Sequence, residues 1–295
     1  MSEGVTDKLA ALAPSEQSLF GYLFWLSRPR FWFYLAGPVV VGVVYAAEST
    51  AEFFTPVTVG MFIYFLIPAN IFLYGVNDIF DRDVDEHNPK KSDEGKEVRY
   101  RGDAIVVMII YLMTATGILI APFLPLEGIY VLGAFYVLGA QYSAPPLRLK
   151  TTPFLDSISN GLYILPGIVA YLAVAREFPP LLAVAGGWLW TMAMHTFSAV
   201  PDIEPDRNAG IQTTATYLGH RGALAYCGLC WLVGAGLMAL VHPFLGAVFA
   251  VYPVFVVGIV AADVDIDRAY WWFPFLNTVA GMVLTMGAIW GLLYG

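Results

Sequence analysis

The chain has 295 residues, of which 58% are hydrophobic and only 13% charged. Its mean hydropathy is +0.67. Soluble domains carry about 25% charged residues, so a large water-soluble core is excluded and a polytopic membrane protein is implied. A formal net charge of −8 argues against a nucleic-acid partner.

Residues 1–295 read as one membrane domain. The opening MSEGVTDKLAALAPSEQ mixes charges and lacks an apolar core with a cleavage site, so it is not read as a signal peptide. Residues 1–27 are a polar start followed by an amphipathic piece, LFGYLFWLS, expected at the membrane interface. SRPR then brings Arg28 and Arg30 to the entry of the first span. Nine spans follow, near 31–47, 54–76, 104–122, 125–141, 155–174, 179–200, 222–240, 244–262 and 271–293. The spacing predicts an all-α bundle with two long polar loops, 77–103 and 201–221. With nine spans, only Arg176 of the 15 Lys and Arg residues falls on the side opposite the N-terminus. This bias predicts a cytoplasmic N-terminus and an extracellular C-terminus in the cell membrane. Spans two and six both run into acidic loops, a layout suggesting a parallel duplication of four helices.

The second span ends in YGVNDIFDRDVDEHNPKK, residues 74–91. Asn77, Asp81 and Asp85 stand at i, i+4 and i+8, one face of a helix, and Asp78 lies beside them. Carboxylates this close repel, and each costs several kcal/mol when desolvated. A hard divalent cation such as Mg²⁺ removes both problems and shares its shell with phosphate oxygens. A solvated acidic loop is the alternative reading of the cluster alone. PDIEPDRNAG, 201–210, supplies Asp202 and Asp206, with two prolines that break span six and start a short helix near Asp202. On its own this too reads as an ordinary loop; paired with the first cluster it reads as a second metal half-site. Cys227 and Cys230 form a CxxC inside an apolar run and read as small membrane filler. Asp263, Asp265 and Asp267 alternate by two and read as a solvated loop.

NDxxDxxxD at 77–85, DxxxD at 202–206, nine spans and the chain length together resemble the UbiA superfamily of intramembrane prenyltransferases. The resemblance implies a helical bundle around a central cavity, with an allylic diphosphate held under a cap formed by 77–103 and 201–221. It implies metal-diphosphate positions at Asn77, Asp78, Asp81, Asp85, Asp202 and Asp206. Many members carry YxxxK in the fourth loop. Here Tyr142 is followed by SAPPLRLK, so the diphosphate base is Lys150 or Arg148. Arg28 is a further phosphate-binding candidate, its alternative being an interfacial anchor. The RPxRP-like stretch of members acting on rings or glyceryl phosphates is replaced by HNPKKSDEGKEVRY. The pattern PDI…D…AG…TTAT, with YSAPPLRLK and DSISNGLY, is similar to the lycopene elongase branch. That branch transfers a C5 unit from dimethylallyl diphosphate to the ends of lycopene, and in one version also hydrates the 1,2 double bond.

Such chemistry leaves a tertiary cation that loses a proton or takes up water. Tyr74, Phe62, Tyr64, Phe197 and Tyr163 are aromatic faces able to stabilise cations by about 0.5–2 kcal/mol each, or else core packing. His195, seven residues before Asp202, shares its face if the helix holds, and is a proton acceptor or a hydrogen-bonded core histidine. Asn160 either orients diphosphate or bonds a neighbouring helix. Prenyl transfer to a quinone ring or an archaeal glyceryl phosphate lipid is the near alternative. A cation transporter fits less well, because every acid lies at a helix end rather than mid-span. The oligomeric state is left open.

Overall fold

The computed structural model describes residues 14–15, 17–81, 102–208 and 210–295. The predicted ligand Asp85, most of the first acidic loop and the polar start before Pro14 lie outside the described residues.

The described residues form α-helices joined by 3-10 turns and short loops, with no strand among them. The order is α1 (Leu19–Leu26), α2 (Trp32–Ala46), α3 (Pro56–Leu66), α4 (Pro68–Phe80), α5 (Ala104–Ile118), α6 (Leu126–Ser143) and α7 (Leu155–Ile158). Then come α8 (Leu165–Ala175), α9 (Leu181–Ala199), α10 (Ile203–Asn208), α11 (Thr214–Val241), α12 (Pro243–Phe249), α13 (Val251–Ala261) and α14 (Ile266–Tyr294). Two cores hold the bundle. One gathers Tyr22, Leu35, Met61, Phe65, Phe72 and Phe135 with Val169 of α8. The other gathers Phe197, Trp231, Tyr252 and Phe273 from the second half.

Seven helical stretches among the described residues are long and apolar enough to cross a membrane. The predicted fourth and sixth spans are not among them, although both are helices, α6 and α9. Their residues explain this: α6 ends in Gln141, Tyr142 and Ser143, and α9 carries Thr191, His195, Thr196 and Ser198. Two of these polar residues, Tyr142 and His195, belong to the candidate site.

Two spans are broken inside the apolar layer. Ile67 leaves helical geometry before Pro68, freeing carbonyls of the preceding turn. The fully buried Asn70 amide donates to Phe65 O at 3.0 Å and Leu66 O at 2.9 Å, satisfying them internally as a lipid environment requires. The fifth span passes from α7 through a 3-10 segment, Ser159–Ile164, into α8. There the Trp188 indole covers Gly161 and donates to Ile158 O at 2.9 Å. The seventh span begins earlier than predicted, at Thr214, with Thr213 as its cap and a kink at Gly219, φ 69°.

α4 packs on α5 after the first acidic motif, and α9 on α11 after the second. α14 presents Trp271, Trp272, Phe275, Met282, Met286 and Trp290 outward. Such an apolar face suits lipid, with tryptophans towards both ends of the helix.

α2 and α8 approach closely enough that a Cβ on Gly42 would fall 2.1 Å from Gly167 O. Gly37, on the same helix, faces open space. Gly42→Leu is therefore expected to destabilise by about 1–3 kcal/mol through overpacking. Gly37→Ala should leave the melting temperature unchanged or slightly higher. Thermal unfolding in detergent micelles measures both; equal melting temperatures for the two variants would contradict the close approach.

Candidate active site

α4 ends at Phe80, so the predicted acidic face runs only as far as Asp81, which is the helix C-cap with φ −105° and ψ 4°. Asp78 and Asp81 are buried and Asn77 is half-buried. Carboxylates here meet the negative end of the helix dipole and require cations. Three bases supply them. The Arg28 guanidinium lies 3.3 Å from Asp78 Oδ1 and 4.4 Å from the centre of the Tyr74 ring. The Lys150 ammonium pairs with Asp81 Oδ1, and Arg148 Nη2 stands 3.7 Å from the same oxygen. Arg148 also donates to Phe80 O at 3.2 Å, closing the helix end. Lys150 is the more enclosed of the two, its side chain 16% exposed against 42%.

Arg28 and Arg148 both adopt left-handed backbone geometry, φ 49° and φ 41°, at the start of 3-10 turns. Such geometry is costly for a residue with a Cβ and gathers at functional sites. Here it aims two guanidinium groups at one acidic helix end.

The second motif begins with a 3-10 turn, Val200–Asp202, leading directly into α10. Asp202 and Asp206 are half-buried. Glu204 is exposed and bound by Arg207 Nη1 at 3.0 Å. Arg207 also donates to Thr216 O at 3.2 Å, tying this loop to the start of α11.

His195 is not joined to Asp202 by one continuous helix: α9 ends at Ala199 and the chain passes through a 3-10 turn. It meets instead Tyr142, whose hydroxyl lies 3.3 Å from His195 Nε2, and Asp156, whose Oδ2 lies 3.7 Å from the same atom. Asn160 donates to Asp156 O at 2.5 Å and its side chain also reaches the Tyr142 hydroxyl. Tyr142, Asn160 and His195, each singled out separately, form one cluster. Sequence reading passed over Asp156, whose signal was a lone acid just inside an apolar span.

Among the aromatic candidates, Tyr74 lies under Arg28, and Tyr163 bonds Tyr74 and meets Tyr34 edge-on. Phe197 packs against Trp231, Phe255 and Phe273 in the second core. Tyr64 pairs with Tyr136 at 2.5 Å, and Phe62 lines an apolar groove with Val39, Val43 and Phe54. Cys227 and Cys230 are buried and free. Asp265 caps α14, accepting from Arg268 N at 2.9 Å, in an exposed loop.

Among the described residues no three His, Cys, Asp or Glu side chains converge tightly enough to hold an ion unaided. That donor set suits Mg²⁺, which takes one or two carboxylates and completes its shell with water and phosphate oxygens. Asn77, Asp78 and Asp81 offer only hard oxygen donors, and three bases stand beside them to meet further anionic oxygens.

A multi-pass helical bundle with an acidic helix end, ringed by bases, defines an integral-membrane enzyme that handles phosphorylated lipids. The chain belongs to the UbiA prenyltransferase family, whose profile matches residues 35–278. It is accordingly a prenyltransferase. Along its full length it is 58% identical to a lycopene elongase/hydratase of Haloarcula japonica, covering 100% of both chains. A lycopene elongase/hydratase of Halobacterium salinarum is 59% identical over 278 residues, 94% of this chain and 100% of the relative. In fold it is similar to a UbiA homolog from Archaeoglobus fulgidus solved with DMAPP and Mg²⁺. That match has a TM-score of 0.69 at 18% identity, covering 90% of this chain and 98% of the other.

Arg28 is the counter-ion of a carboxylate only 2% exposed. Arg28→Leu should destabilise by about 3 kcal/mol by leaving that charge buried, and adding Asp78→Asn should recover most of the loss. Unfolding of the two single variants and the double variant measures the coupling; additive effects would mean the pair carries no interaction energy.

Proposed function

We propose that the protein transfers a C5 prenyl group from dimethylallyl diphosphate to the ends of lycopene and hydrates the 1,2 double bond. The observation that carries this reading is the full-length identity to relatives named lycopene elongase/hydratase. Nine spans surround a central cavity as one domain, 1–295, in the cell membrane. The N-terminus is cytoplasmic and the C-terminus extracellular. The polar loops 77–103 and 201–221 cap the cavity on the cytoplasmic side, where soluble diphosphates are.

In this reading Asn77, Asp78, Asp81 and Asp85 hold Mg²⁺ from one side, and Asp202 and Asp206 from the other. Held there, Mg²⁺ would supply charge neutralisation for the departing diphosphate. Arg28, Arg148 and Lys150 already stand beside the acidic helix end. They turn to the diphosphate oxygens as the carboxylates take up the metal, so charge is exchanged between partners rather than newly buried. Tyr74 offers its face to the dimethylallyl cation, and Asn160 and Tyr142 orient the substrate. The terminal alkene attacks, and His195 accepts the proton that is finally released.

Expression in a lycopene-producing host, followed by chromatography and mass spectrometry of extracts, tests the acceptor. An elongated, hydrated carotenoid is expected; unchanged lycopene beside folded protein would refute it and favour a quinone ring or glyceryl phosphate lipid. Asp81→Ala and Asp202→Ala should each reduce turnover at least about a hundredfold by removing charge stabilisation of the leaving group. Chelation with EDTA should abolish diphosphate release in purified membranes, and added Mg²⁺ should restore it. Release that persists after chelation would sink the metal assignment.

A further inference from the structure

Asp156 is a carboxylate inside the membrane bundle, its side chain 1% exposed. Burial of that charge is compensated from one direction. Thr214 N donates to Oδ2 at 2.9 Å, and the Thr214 hydroxyl donates to Oδ1. Thr214 opens the short helical segment of α11 that precedes the kink at Gly219, so the carboxylate is held by a backbone N–H and a hydroxyl of one residue. These contacts fix the carboxylate in place. The same Oδ2 faces His195 Nε2, and that nitrogen contacts the Tyr142 hydroxyl. The His195 side chain is 17% exposed, so one side of the ring is reachable while the other is backed by a buried anion. Phenol and carboxylate thus meet at one imidazole nitrogen, which can take a proton from the phenol and hold the resulting charge beside the carboxylate. No acidic-motif residue belongs to it.

Resting on the lycopene elongase/hydratase reading, we propose that Tyr142, His195 and Asp156 form a water-activating unit, apart from the acidic motifs, that carries out the hydration half of the reaction. Prenyl transfer uses the π electrons of the terminal double bond and leaves a tertiary cation on the neighbouring carbon. A water oxygen forms a C–O bond to that carbon. Its proton passes to the Tyr142 oxygen as Tyr142 gives its own proton to His195 Nε2. The products are a tertiary alcohol and an imidazolium, which later returns its proton to solvent. No oxidant or reductant is needed. Asp156 is the positioning residue: it touches no substrate and balances the imidazolium charge from 3.7 Å. Without the unit, the cation loses a proton instead and yields an elongated alkene.

The test is the ratio of hydrated to unhydrated elongated product, read by mass spectrometry in H₂¹⁸O with lycopene, dimethylallyl diphosphate and purified full-length protein. Asp156→Asn, His195→Gln and Tyr142→Phe should each lower that ratio by at least about tenfold, since a general base contributes about 10²–10⁴. His195→Gln leaves the Asp156–Thr214 bonds in place, so it decides the matter if Asp156→Asn fails to fold. An unchanged ratio in His195→Gln overturns the proposal. So does a proportional fall of both products in folded Asp156→Asn, which would make Asp156 only a clamp on α11. Wild-type protein that elongates but never hydrates overturns this site alone. Wild-type protein that leaves lycopene untouched overturns the functional reading, and this assignment with it.

Discussion

The arrangement depends on placing carboxylates at a helix C-terminus inside a membrane protein. Asp78 and Asp81 are buried at the negative end of the α4 dipole, where unpaired charges are strongly unfavourable. The rest of the polar end answers that constraint. Arg28 enters between α1 and α2, and Arg148 and Lys150 enter from the loop after α6. Both arginines take left-handed backbone geometry to get there. A site assembled this way sets three bases against two buried carboxylates, and an anionic substrate with its cation can enter by exchange of partners.

The same logic operates at Asp156 with opposite polarity. There the buried carboxylate lies at a helix N-terminus, and the backbone of Thr214 stabilises it directly. It therefore does not need an arginine, and its field is left for His195. Two buried acids thus have different partners because they meet opposite ends of helices. One set of groups suits an anionic leaving group, the other a proton.

The bundle supports both by breaking its helices where the site lies. Breaks at Ile67–Pro68, at Ser159–Ile164 and at Val200–Asp202 expose backbone groups that Asn70, Trp188 and the following turn satisfy internally. The helices α6 and α9 give up hydropathy to carry Tyr142 and His195. They remain in the bundle because their neighbours cover them, α9 against α11 most extensively.

Composition and periodicity alone determined that the chain is helical and membrane-spanning, since about 20 apolar residues per span leave no other way to satisfy the backbone. The acidic motifs were legible because charges at the ends of apolar runs stand out. Arg28, Lys150 and Arg148 were legible as bases, but which acid each meets was not. That depends on left-handed turns and on contacts 50 to 70 residues apart, which no local pattern records. The continuous helix expected between His195 and Asp202 was a local extrapolation, and it gives way to a 3-10 turn at Pro201. Asp156 was hidden for the converse reason. A single acid in an apolar span has no periodic signal, and only the docking of the α11 N-terminus onto α7 turns it from a liability into a fixed charge beside His195.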